Sequence, residues 1–140
     1  MFGNRDQLRR QFIEAWAKAR DGRSLDGLDA QLAQIIREHP EYHDLLAEPE
    51  KALQAEFPPE AGQSNPFLHL AMHLSIREQA ATDRPAGIRE IHRRLGRHLG
   101  VMEAEHRMLE CLGQVLWEAQ RAGAMPDERA YLECLRRIDG

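Results

Sequence analysis

The sequence predicts an all-α protein, a compact bundle of about six or seven helices, and three observations carry that prediction. Valine occurs only at 101 and 115 and threonine only at 82, so isoleucine is the only other β-branched residue and a sheet has little to be built from. Alanine, leucine, glutamate, arginine and glutamine, all good helix formers, dominate instead. Apolar residues recur at intervals of three and four rather than alternating. With 140 residues, one domain covering 1–140 is the economical expectation, long enough for a sizeable core and short for two.

Each helix has its own signals. Leu8, Phe12, Ala15, Trp16 and Ala19 share a face over Arg5 to Asp21, with Asn4 placed to cap the segment and Gly22 to end it. From about Asp26 to His39, a second helix carries Leu25, Leu28, Leu32, Ile35 and Ile36 on one face, which His39 continues until Pro40 interrupts. "PEYHDLLAEPEKALQAEF" reads as a short helix from Pro40, bent near Pro49, and "PPEAGQSNP" is the clearest loop. Asn65 followed by Pro66 is a cap and first-turn proline, starting a helix that runs to about Ala81. The next begins near Pro85 after an Asp83 cap and reaches Leu99, with Ile88, Ile91, His92, Leu95 and Leu99 inward. Gly100 separates it from a long helix, Val101 to Ala122, and a last helix spans Asp127 to Ile138.

Composition limits the function classes. A hydrophobic fraction of 42% and a charged fraction of 30% are ordinary for a globular chain, and no apolar run approaches the length of about 18 that a membrane span needs. The net charge of −4 offers no global attraction to nucleic acid, so neither nucleic acid nor membrane is an expected partner, while homo-oligomerisation stays open. "MFGNRDQLRRQF" carries no apolar run of the signal-peptide kind, and the expectation is a cytoplasmic protein. Cys111 and Cys134 lack CxxC spacing and are expected to remain reduced.

The chemistry-bearing stretch is "NPFLHLAMHLSIREQ". A turn of about 100° per residue puts His69 and His73 on one side with Met72, Ile76 and Ala80, while Phe67, Leu70, Ala71 and Leu74 fill the other. This helix is apolar all round and should lie inside the protein, pointing its histidines away from water. Glu78 falls opposite the pair. In "EAEHRMLECLGQVLW", Glu103, His106 and Glu110 share a stripe beside the apolar face, and Glu105 projects nearer its middle, where a carboxylate needs a partner.

Two readings follow. An i, i+4 histidine pair can present two imidazoles to one ion, and Glu-x-x-His on a facing helix can add nitrogen and oxygen ligands. The metal reading therefore takes His69, His73 and His106 as nitrogen ligands and Glu103 or Glu110 as an oxygen ligand, a mixture that suits zinc or iron. The alternative is a metal-free interaction or structural module whose buried histidines and glutamates form a hydrogen-bond network. HxxxH alone is common, and no HExxH indicates a protease. Whether the chain is an enzyme is left open, as is whether His39 and His43 of "EHPEYH" join the site. Arg89, Arg93, Arg94 and Arg97 read as a solvated basic face, or as a partner surface in the metal-free alternative.

In order, "HPEYH", "NPFLHLAMHLSIREQ", "DRPAGIRE", "MLECLGQVLWEAQRAG" and "YLECLRR" resemble the bacterial family of domain of unknown function 1841, known mainly from proteobacteria. The likeness spans nearly the whole chain. It implies a single small cytoplasmic domain, supplies no reaction, and places His39, His43, His69, His73, Glu78, Gln79, His106 and Glu110 within family motifs. A more general likeness to hemerythrin-like and DinB-like metal-binding bundles is one of fold alone.

Overall fold

Helix-forming composition and well-placed caps give a mainly helical backbone over the residues that the computed structural model describes, 5–57 and 65–138. Among the described residues there are eight α-helices, one 3₁₀ turn and no strand. They are α1 (Arg5–Arg20), α2 (Gly27–Arg37), the turn Pro40–Tyr42, α3 (His43–Leu46), α4 (Pro49–Gln54), α5 (Pro66–Thr82), α6 (Ile88–Leu99), α7 (Val101–Ala122) and α8 (Glu128–Arg136). Asn4, and residues 58–64 of the expected loop, lie outside the described residues.

The all-α prediction holds. The extra helix arises where a bent segment was expected, because Pro40 and Pro49 each start a new element and divide it into the 3₁₀ turn, α3 and α4. The start of α6 is also later than expected, at Ile88. Its N-cap residue is Gly87 rather than Asp83, whose Oδ1 still accepts from the Gly87 and Arg89 amides at 3.1 and 3.0 Å. The Asn65 side chain likewise accepts from the Phe67 amide at 3.0 Å, and Gly123 closes α7 at φ +63°, a left-handed conformation that glycine adopts without strain.

The chain divides into two compact units, Met1–Leu74 and Ser75–Gly140, so α5 contributes residues to both. In the first unit α1 packs on α2 and α4, and Phe12, Leu32, Ile35, Ile36, Phe67 and Leu70 belong to one buried cluster. Each such side chain contributes roughly 1.5–3 kcal/mol by leaving water. Leu28, expected inward, sits in the first turn of α2 and is 39% exposed. Arg9 is buried on α1 and donates from Nη1 to the carbonyls of Ala52, Leu53 and Ala55 at 2.8, 3.2 and 2.8 Å. These carbonyls belong to the last turn of α4 and its end, where a cation meets the negative pole of the helix. In the second unit α7 packs against α6 and α8, with Ile88, Leu95, Met108 and Leu135 fully buried.

Candidate metal centre

The apolar periodicity of α2 carries the chain inward up to His39, which is 1% exposed. Its Nδ1 lies 2.8 Å from the Ile35 carbonyl. A carbonyl only accepts, so this partner assigns a proton to Nδ1, and Nε2 is buried as well. On α5 the four-residue spacing stacks His69 above His73, and their Nε2 atoms are 3.2 Å apart. His73 is fully buried and His69 half-buried. Ring centroids lie 5.1 Å apart for His39 and His69, 4.7 Å for His39 and His73, and 4.8 Å for His69 and His73. One ring nitrogen from each of the three falls within 4.8 Å of the others, so the cluster could hold a metal ion.

Tyr42 completes the neighbourhood. Its ring stacks parallel to that of His39, 5.5 Å between centroids, and meets His69 edge-on at 6.2 Å. Burial, and then the nearby Glu41 charge, raise its phenol above the ordinary tyrosine value.

Of the residues singled out from the sequence, His69 and His73 come together as expected, and His39, whose membership was open, joins them. His43 turns elsewhere: its Nε2 donates to the Ile36 carbonyl at 2.8 Å and its ring lies on Trp16 at 4.5 Å. Glu78 is exposed, as its helical position requires. In the second unit His106 is half-buried on α7, with a buried Nε2. Glu103 is exposed and paired with Arg107 at 3.2 Å, and exposed Glu110 lines a groove with Cys111 and Cys134. The Glu103 pair had a sequence signal in its i, i+4 spacing.

Glu105 is fully buried and has the partners its position demands. Arg77 donates from Nε to both carboxylate oxygens at 3.1 Å and from Nη2 to Oε1 at 3.0 Å. His92 Nε2 donates to Oε2 at 2.8 Å. On α6, Arg93 pairs with Glu90, whose carboxyl this hydrogen bond holds below its ordinary range. Arg89 caps the Ala80 and Ala81 carbonyls. At these two positions the basic face is engaged within the chain.

One expectation is overturned. Cys111 and Cys134 form a disulfide between α7 and α8. Separated by 23 residues and lacking CxxC spacing, they gave no local sign of pairing, yet the packing of the two helices brings their Cα atoms to 5.8 Å, within bridging distance.

No curated protein and no solved structure matches this chain. The model of the family described as domain of unknown function (DUF1841) matches residues 4–137, a span that includes the histidine cluster, the Glu105 network and both cysteines. On that match, the chain belongs to the DUF1841 family.

Proposed function

We propose that this is a bacterial, cytoplasmic protein that binds a divalent metal ion through His39, His69 and His73. The observation that carries the proposal is the convergence of three imidazole nitrogens in the first unit, one of them on a ring whose other nitrogen is anchored to the Ile35 carbonyl. Metal-bound histidines characteristically donate their second nitrogen to a carbonyl or carboxylate, which fixes both tautomer and ring orientation. Zinc is the first choice for a ligand set rich in imidazole, and iron the second. With three protein nitrogens the ion would keep a position for water and lower its pKa to about 7; with four it would be structural. The test is metal analysis of protein purified without a histidine tag, followed by zinc and iron titration of the apo-protein. About one equivalent is expected in the wild type and loss of binding in His39→Ala and His73→Ala; less than about a tenth of an equivalent, with no thermal stabilisation on adding metal, overturns the proposal. Glu103→Gln and Glu110→Gln in the same titration assign the oxygen ligand, if either weakens binding about tenfold.

A second reading, the metal-free structural or interaction module, is favoured by a different observation. Glu105, Arg77 and His92 already form a buried ionic network in which the carboxylate is matched by protein donors. Negative metal titrations combined with a strong dependence of stability on Glu105 would select it. The disulfide bears on location as well. Such bonds persist in oxidising compartments, and those of cytosolic proteins are mostly transient or redox-sensing. A cytoplasmic site for this protein therefore calls for a labile bond.

A further inference from the structure

The Cys111–Cys134 bond has no part in the metal proposal, yet it is not sealed in a core. Both cysteines line an open groove between α7 and α8 with a volume of about 490 Å³. Arg107, Cys111 and Gln114 form one helical stripe along the α7 wall, with Glu110 beside it, and Cys134, Arg137 and Ile138 form the other side. The two sulfurs are unequal. Cys111 is 4% exposed, whereas Cys134 is half-buried, so a nucleophile entering the groove reaches Cys134 first. The charged groups are also unequal. Glu110 opposes two exposed guanidiniums, of which Arg107 shares its charge with Glu103 and Arg137 has no ion pair among the described residues.

We propose that this groove is a thiol–disulfide exchange site for a low-molecular-weight thiol bearing a carboxylate. The incoming thiolate attacks Cys134 Sγ and forms a new sulfur–sulfur bond there. The Cys111–Cys134 bond breaks, and its electron pair leaves on Cys111, which takes a proton from solvent. Arg107, one turn earlier on the same helix, favours that departing thiolate electrostatically. A second thiolate then attacks the small-molecule sulfur of the mixed disulfide. Cys134 leaves as a thiolate, and the two thiols depart oxidised as one disulfide while the protein bond has gained two electrons. Arg137 attracts the carboxylate to the groove, and the same steps in reverse let the small disulfide reoxidise the protein.

The experiment uses the full oxidised chain and two probes, 3-mercaptopropionate and cysteamine, which carry opposite charges. Each reduction rate is divided by that probe's rate with 2-hydroxyethyl disulfide, which cancels intrinsic nucleophilicity. The normalised rate should favour 3-mercaptopropionate by about fivefold at low salt, and Arg137→Gln or added salt should bring the ratio towards one. Mass spectrometry after acid quench and digestion should find the mercaptopropionyl adduct on Cys134. Equal normalised rates, an adduct confined to Cys111, or reduction only after denaturant is added would each overturn the proposal. Arg137 is exposed, so its substitution tests the charge effect without threatening the fold.

Discussion

In the first unit imidazole faces imidazole, and in the second imidazole faces carboxylate. His69 and His73 meet through their Nε2 atoms at 3.2 Å with His39 against both, whereas His92 donates to a Glu105 that Arg77 grips as well. In the second arrangement a buried anion is matched by a permanent cation and an imidazole N–H donor. The first gathers ring nitrogens of three imidazoles, a donor set that could hold a divalent cation. Buried histidine is therefore no single signal. What the ring faces separates a buried ion-paired network from a cluster that could hold a cation.

The largest way to break this contrast is to remove Glu105. Glu105→Ala leaves Arg77 and His92 directed at a void and should cost about 3–5 kcal/mol in urea unfolding, the usual penalty for stripping one partner from a buried pair. Replacing all three residues by apolar ones of similar volume should be nearly neutral. A loss under about 1 kcal/mol for Glu105→Ala would show that the network does not lock the second unit.

The histidine cluster should behave in the opposite way. Saturating metal, at about a hundredfold above Kd, should stabilise the wild type by about 2.7 kcal/mol, and His39→Ala or His73→Ala should abolish that gain. Equal stabilisation of wild type and both variants would locate the metal elsewhere.

Arg9 sharpens the comparison because, like Arg77, it is an arginine satisfying polar groups, but those groups are carbonyls. Burial, reinforced by the Arg5 charge, lowers its pKa, although a guanidinium stays cationic across the ordinary pH range. Arg9→Met strands no opposite charge. The expected cost is about 2 kcal/mol in the same urea assay, below that of Glu105→Ala, and a larger loss would mean that neutral acceptors weigh as much as the buried carboxylate.

These contrasts also mark what the sequence could and could not reveal. The i, i+4 spacing of His69 and His73 on a helix apolar all round predicted their shared, inward side, and the mid-face position of Glu105 predicted that it needs a partner. Those properties are local and periodic. The identity of that partner is not, because Arg77 and His92 lie 28 and 13 residues away and become neighbours only through tertiary packing. His39 stands thirty positions before His69, so its helical stripe announced burial and nothing about the company it keeps. The cysteines fail for the same reason, and reduction of their bond is expected to cost about 3 kcal/mol from the loop it closes.

The smallest effect separates the two tyrosines. Tyr131 of the second unit is 4% exposed and its hydroxyl donates to Gln79 Oε1 at 2.7 Å; Tyr42 of the first is half-buried against the histidines. Burial pushes the Tyr131 phenol well above its ordinary value, and the Gln79 bond offsets only part of this rise. The folded pKa thus exceeds that of the unfolded chain, about 10, so the stabilisation is fully present below about pH 10 and is lost as pH climbs from there through the folded pKa. Near neutrality Tyr131→Phe should cost about 1 kcal/mol, the worth of one hydrogen bond. Phenylalanine cannot ionise, so between about pH 8 and about pH 11 the gap between variant and wild type should narrow. Tyr42→Phe should show a weaker narrowing, because its side chain keeps more access to water. Urea unfolding at the two pH values measures both, and a Tyr131→Phe gap that stays constant would mean that the fold shelters this phenol less than its burial implies.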